Sequence, residues 1–290
     1  MEIITLTCKV ISPMFIGNAN GKNAELRPST FEGSLRFWWR AIHPDLSKYE
    51  LRKQETEFFG GSYMDRDDHN KTVNKPPSYR FLEITGGKIT SDKMDLDPRD
   101  GKNRGKAKAI MPNSVFTIKL QIINNNKEKV LALFKLASAL GGLGKRSRRG
   151  AGAWKIEKIN GENSIIYKQE KINEWINTIN PNYKNNKNTS DYPYLIKYTI
   201  GGKTYTNQEK LRIKIMETAH NCKGHNSYKY CLGEARTNSR LSSPVYVSMI
   251  EDSEGIKPII SILKSGCRNA TLQNNFSNCI LNNSNCNNNC

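Results

Sequence analysis

The stretch of the chain richest in binding chemistry runs Gly141-Gly142-Leu143-Gly144-Lys145-Arg146-Ser147-Arg148-Arg149-Gly150-Ala151-Gly152, with five glycines and four cations. Glycine admits positive φ and close backbone approach. Arginine offers phosphate oxygens a planar fork of donors. Together they describe a loop whose N–H groups and cations hold a phosphate chain. The spacing is not that of a nucleotide P-loop, and the loop follows a helix instead of a strand. The plainer alternative is a helix C-cap followed by a solvated basic turn. Crowded cations repel one another, which favours a polyanion bound through contacts that do not read base sequence.

A second cluster is Arg36-Phe37-Trp38-Trp39-Arg40. On a helix the two tryptophans lie about 100° apart, so both can enter the core. Arg36 and Arg40 share a face at i and i+4. They read either as a basic face beside a nucleic-acid path or as stems laid over the tryptophan pair. For acid–base catalysis the chain offers His43, His69, His220 and His225. His43 follows the arginine-rich helix, where a histidine ordinarily bonds the last carbonyls. His220, Cys222, His225 and Cys231 sketch a zinc site but lack the tight cysteine pairs of structural zinc, so reduced thiols are the expectation. No metal site, no cofactor and no catalytic residue is expected.

These residues need elements to position them. Alternating Ile4, Leu6, Cys8 and Val10 predict a strand over 3–11. Helical spacing of Leu35, Trp38, Trp39 and Ile42 predicts a helix over 30–42, and Ser47 with Glu50 forms a capping box opening a second helix that stops at Gly60-Gly61. Strands are expected over 79–84, 114–123 and 154–159, and a long polar loop over 88–108 carries Arg99, Lys102, Arg104, Lys106 and Lys108. The helix over 126–140 presents Val130, Leu133, Phe134, Ala137 and Leu140 as one stripe. The order is β-α-(α)-β-β-α-β, the ferredoxin-like pattern shared with RNA-recognition motifs. The second half is fainter, with helices over 168–179 and 208–219 and strands over 194–200, 244–250 and 257–263. The expected fold class is therefore α+β with two ferredoxin-like (RRM-like) domains. The expected division is 1–160 with the glycine-rich loop, 161–265 as a degenerate second copy, and 266–290 as a low-complexity tail. Nine asparagines between 274 and 290 point to a disordered Asn/Cys-rich tail.

Composition sets the outer limits. The chain has 290 residues, 45 basic and 27 acidic side chains, and a formal charge of +18. An excess of this size predicts a polyanionic partner, nucleic acid being the commonest. No apolar run approaches the ~18–20 residues that span a bilayer. The first residues do not read as a secretory signal. Seven cysteines, an odd number, with Cys267, Cys279, Cys286 and Cys290 crowded at the end, do not form the framework of a secreted domain. The expectation is a cytoplasmic protein with plain thiols.

Five motifs then occur in order: Pro13-Met14-Phe15-Ile16-Gly17, Glu25-Leu26-Arg27-Pro28, Gly33 to Arg40, Phe59-Gly60-Gly61-Ser62, and Gly141 to Gly152. Together they resemble the RAMP subunits of CRISPR-Cas effector complexes. The string Leu35 to Arg40 is similar to that of the first subunit of the type III-B (Cmr) module. The resemblance is strong over about residues 3–160 and extends faintly through Arg240-Leu241-Ser242-Ser243-Pro244. It implies two ferredoxin-like folds and a noncatalytic place in a ribonucleoprotein of antiviral defence, beside sister RAMP subunits, holding the 3′ region of the guide RNA and its duplex with target RNA. By that resemblance Lys145, Arg146, Arg148 and Arg149 hold phosphates. Gly141, Gly142, Gly144, Gly150 and Gly152 let the backbone approach, and Arg27, Arg36 and Arg40 flank the RNA path. Asn18 and Glu32 depart from the family pattern, and Glu32 puts negative charge on that path. The alternatives are a metal-independent endoribonuclease of the same superfamily and a standalone basic RNA chaperone.

Overall fold

The computed structural model describes residues 2–18, 20, 23–66, 71–99, 105–163, 166–183, 192–222, 231–236, 239–265 and 270–282. The first unit runs β1 (Glu2–Val10), α1 (Pro28–Ala41), α2 (Lys48–Phe59), β2 (Gly61–Met64), β3 (Thr72–Lys75), β4 (Tyr79–Lys88), β5 (Ser91–Asp95), β6 (Lys106–Ile110), β7 (Val115–Ile122), α3 (Lys127–Leu140), β8 (Trp154–Ile159) and β9 (Glu162–Asn163). Its main sheet is antiparallel with strand order β4-β7-β1-β8-β9. With α1 and α3, the strands β1, β4, β7 and β8 trace β-α-β-β-α-β, the ferredoxin-like path.

The period-two pattern of β1 does what it predicts. Ile4, Leu6, Cys8 and Val10 are all buried, and so are Phe116, Ile118, Leu120 and Ile122 on β7. Leu6 lies opposite Ile118 in the ladder, so the two strands offer one apolar face to the helices. Burial pushes the Cys8 thiol pKa well above its usual value. Trp38 and Trp39 are 0% and 3% exposed, which makes them core residues. The α2 cap is also present: Glu50 N donates to Ser47 Oγ at 3.2 Å, and Gly60 closes the helix at φ 78°.

The helix α3 is buried beyond its expected stripe, for Ala132, Leu136 and Ala139 are covered too. A helix apolar all round needs cover on every side, and the second unit supplies it. That unit comprises α4 (Gln169–Ile179), β10 (Leu195–Ile200), α5 (Gln208–Asn221), β11 (Glu234–Arg236), β12 (Ser239–Leu241), β13 (Val245–Asp252), β14 (Gly255–Leu263) and α6 (Ala270–Leu281). Its sheet has the order β10-β14-β13. The path β10-α5-β13-β14-α6 repeats the first unit's β-α-β-β-α, and among the described residues no strand follows α6.

Three expectations are corrected. The segment 266–290 is not a disordered tail throughout, because residues 270–281 form α6 with Leu272, Phe276, Cys279 and Ile280 buried. Their helical spacing sits inside an asparagine-rich composition, and α6 packs on α5 and β14. The polar stretch 88–108 contains a hairpin, β5 paired with β6 from Ser91↔Ile110 to Asp95↔Lys106. Its inner side is closed by Met94, Leu96 and Ala107 packing on Phe15 and Ala151. Finally, Cys222, Cys231 and Cys279 are disulfide-bonded instead of plain thiols. Folding α6 back onto α5 returns a cysteine from the end of the chain to the helix that Cys222 caps. Cys267, Cys286, Cys290, His69, His225, Lys102 and Arg104 lie outside the described residues. No helix among the described residues is long and apolar enough to cross a membrane.

Candidate nucleic-acid interface

The glycine-rich loop leaves α3 at Gly141 and returns to β8 at Trp154, held between the two units. On one side it is stitched to the segment after β1: Lys145 N donates to Phe15 O at 3.0 Å and Gly152 N to Pro13 O at 2.9 Å. On the other side β13 holds it. Gly150 N donates to Val247 O at 2.9 Å, Gly142 N donates to Tyr246 Oη at 3.1 Å, and Ser248 Oγ donates to Gly141 O. Tyr246 and Ser248 carry no signal in the sequence, being ordinary residues of β13 about a hundred positions from the loop, whereas Ser243, just before β13, falls in the faint match over 240–244.

The space each loop glycine leaves is occupied by protein. A Cβ on Gly141 would meet Trp38 Nε1, one on Gly142 would lie 2.7 Å from Ala151 O, and one on Gly150 would lie 2.7 Å from Ile215 Cδ1. Gly144 and Gly152 add positive φ, 84° and 70°, and their Cβ atoms would strike Phe15 O and Leu143 O. The glycines thus let two backbones cross closely inside the protein.

The four loop cations separate into two pairs. Lys145 and Arg146 are exposed, and among the described residues neither side chain has a hydrogen-bond or ion-pair partner. Arg146 occupies the left-handed region at φ 62°, and the backbone N–H groups of Gly144, Arg146, Ser147 and Arg148 have no acceptor among the described residues. Successive unpaired N–H groups in such a turn form an anion-binding nest. Arg149, by contrast, faces inward. Its Nη1 donates to Ser243 Oγ at 3.0 Å and Val245 O at 3.3 Å, its Nη2 to Leu232 O at 2.5 Å, and the guanidinium lies 5.5 Å over the Phe276 ring of α6. Arg148 donates to Ser243 O and lies 5.1 Å over Phe37 and 5.7 Å over Tyr246.

The other expected arginines are engaged within the protein. Glu55 of α2, 7% exposed, takes Arg36 Nη1 at 3.0 Å and Arg40 Nε at 2.7 Å. Glu32 takes Arg36 Nη2 at 3.2 Å, and Arg36 also lies 4.5 Å over the Phe59 ring. These carboxylates neutralise the α1 face, and Glu32, the departure from the family pattern, is one of them. Arg27 Nη2 donates to Gly17 O at 3.0 Å and closes the turn between Gly17 and Ala24. The hairpin adds exposed charge near the loop, since Met14 pairs with Ile110 and the next residue, Phe15, with Lys145. Lys93 lies directly opposite Lys108, a like-charge pair that is unfavourable without an anion. Arg99, in contrast, is held by buried Asp97 at 2.7 Å.

His43 is 5% exposed, stacked on Trp39 at 4.0 Å, with Nδ1 at 2.6 Å from Trp39 O. Burial holds its pKa below the ordinary 6.5. The unfolded chain therefore takes up this proton first as pH falls. The His43 contribution is whole above pH 6.5 and declines as pH drops through the folded-state pKa. Thermal midpoints measured against pH are expected to fall more steeply below neutrality in the wild type than in a His43→Gln variant; parallel profiles would contradict this placement. Of the zinc sketch, Cys222 and Cys231 are in disulfides.

The profile of the RAMP superfamily matches residues 7–157. No curated protein sequence matches the chain. Among solved structures it is similar in fold to Cmr1 from Pyrococcus furiosus, with TM-score 0.60, 16% identity, and 92% of this chain and 89% of that one covered. Two cryo-EM structures of the type III-B Cmr-beta complex also match. The one bound to cognate target RNA and AMPPnP in the presence of ssDNA has TM-score 0.55 and 13% identity, over 97% of this chain and 98% of its own. The one bound to cognate target RNA has TM-score 0.56 and 12% identity, over 96% and 99%. With a profile match spanning just over half its length, a ferredoxin-like core and the glycine-rich loop in place, the chain belongs to the RAMP superfamily.

Proposed function

We propose that this chain is a noncatalytic RNA-binding subunit of a type III-B CRISPR effector, holding the guide RNA in its 3′ region and the guide–target duplex by backbone phosphates among sister RAMP subunits. Superfamily membership and the likeness to Cmr1 and Cmr-beta chains support the setting. The observation that carries the RNA contact is the outer turn of the loop. It offers unpaired, exposed Lys145 and Arg146 beside a row of backbone N–H groups without acceptors. Such a surface displaces condensed counterions from an RNA backbone without reading its bases. Arg149, Arg27, Arg36 and Arg40 act in this reading mainly by holding the path in shape.

The test is salt-dependent RNA binding by the chain assembled with its sister subunits and a guide, for wild type and a Lys145→Ala/Arg146→Ala variant. The variant is expected to bind at least about tenfold more weakly at moderate salt, with a log–log slope shallower by about 1.4, at roughly 0.7 for each single-strand contact. An unchanged slope would refute the phosphate contact. Cut RNA products from the lone chain without metal would instead support the endoribonuclease reading. Tight binding of any RNA by the lone chain would support the chaperone.

A further inference from the structure

Beneath the outer turn lies a cavity of about 210 Å³ lined by α1, the loop and β13, with Thr30, Ser34, Phe37, Gly144, Ser147, Arg148 and Tyr246 at its walls. Its volume falls short of the roughly 300 Å³ at which drug-sized pockets begin. The lining has a consistent polarity. Thr30 and Ser34 stand one helical turn apart on α1, and neither hydroxyl has a partner among the described residues. Gly144, Ser147 and Arg148 bring N–H groups without acceptors. No carboxylate or side-chain amide borders the cavity, so nothing there is suited to the amino groups of a base edge.

Arg148 supplies the second observation. It is half-buried on the Phe37 and Tyr246 rings and takes one acceptor, Ser243 O. Among the described residues it has no ion-pair partner, unlike Arg36, Arg40 and Arg99. Burial pulls its pKa down, and only the Tyr246 phenol acts in the other direction. A partly desolvated cation without a counter-charge calls for an anion.

We infer that this cavity is an oxyanion site that takes one phosphate group of the bound RNA, with Thr30, Ser34 and Arg148 as its side-chain donors. The inference rests on the RNA-binding reading and names a contact within it separate from Lys145 and Arg146. The phosphate comes either from a chain end or from a phosphodiester at a bend in the strand.

The test uses the full chain and a Thr30→Val/Ser34→Val variant, which keeps the loop and all its cations. Inorganic phosphate is titrated and followed by ³¹P line broadening. Short single-stranded RNAs of one sequence are compared with hydroxyl ends, a 3′-phosphate or a 5′-phosphate. Saturable phosphate binding by wild type, weakened about a hundredfold in the variant as expected at roughly tenfold for each of two hydroxyl bonds to an anion, supports the site. A Thr30→Ser variant, which keeps the hydroxyl, should match wild type, and circular dichroism should show each variant folded. RNA that gains affinity from an end phosphate only when the hydroxyls are present identifies a chain end. Equal affinities for all ends that fall together in the valine variant identify an internal phosphodiester. Wild-type behaviour of the folded valine variant toward phosphate and every RNA overturns the inference and leaves the Lys145 and Arg146 contacts standing. If the Lys145→Ala/Arg146→Ala variant keeps full RNA affinity while phosphate binding still depends on Thr30 and Ser34, the outer-turn contact of the proposed function fails and the oxyanion site survives.

Discussion

A Gly152→Ala substitution is expected to destabilise the protein by about 4 kcal/mol, combining roughly 1–3 kcal/mol for a non-glycine residue at positive φ with roughly 1–3 kcal/mol for overpacking. At about 2–4 °C per kcal/mol for a chain of this size, the melting midpoint should drop by roughly 8–16 °C. The cause is local. Gly152 sits at φ 70°, and a methyl group there would collide with Leu143 O and lie 2.7 Å from Leu143 N. Those are the atoms across which the two arms of the loop meet, since Leu143 N donates to Gly152 O at 2.9 Å. Backbone cannot move aside as a flexible side chain would, so the loop must open. RNA affinity should fall with it although no charge is removed. A Gly202→Ala variant is the control, because a methyl group there meets nothing within 4 Å, and it should melt as wild type. Equal midpoints for the two variants would show that the crossing of the loop arms is not needed for the fold.

Replacing Arg149 by lysine is expected to be nearly as damaging as replacing it by alanine. The guanidinium fork reaches Leu232, Ser243 and Val245 together while its face covers Phe276. A lysine has one nitrogen and no plane, so it keeps the charge and loses the geometry. The cost is about 1–3 kcal/mol, chiefly from the Leu232 carbonyl left without its donor, since Val245 O keeps the Ser243 hydroxyl. Thermal melting should show it, and the loop should lose its hold on β13 and α6. Lys145→Arg should behave in the opposite way, keeping both stability and RNA affinity, since that side chain is exposed and charge alone is at work. The pair separates a brace from a phosphate ligand: Arg149→Lys with wild-type melting and wild-type RNA binding would make Arg149 a phosphate ligand instead of a brace.

Much of the first unit was legible in its residues. The alternation in β1 and β7, the Ser47 cap, the Gly60 stop and the α3 stripe are local signals, and each reports a structure its own neighbours can satisfy. The tryptophan pair was legible too, as core. The hairpin over 91–110 was hidden, because its strands are charged and short and take their apolar cover from distant residues, Phe15 and Ala151 under Met94 and Ala107, and Met14 beside Ile110. For α6 the composition misled: Leu272, Phe276 and Ile280 repeat at helical spacing among asparagines, and only α5 and β14 give that stripe something to bury against.

The candidate site divides along the same line. Residue types and order along the chain were enough to determine that a glycine- and arginine-rich loop follows a helix, that it suits a polyanion, and that the family is RAMP. Only the tertiary structure decided what each cation does. Glu55 comes from a different helix than the two arginines it binds on α1, and Ser243, Val245 and Leu232 come from a different unit than Arg149. Charge in a sequence is additive, whereas charge in a fold is set by which carboxylates and carbonyls arrive within about 3 Å, and those partners lie tens to a hundred residues away. The basic loop that reads as four equal phosphate ligands is therefore, once folded, an exposed pair that faces solvent and an inner pair that holds the two units together.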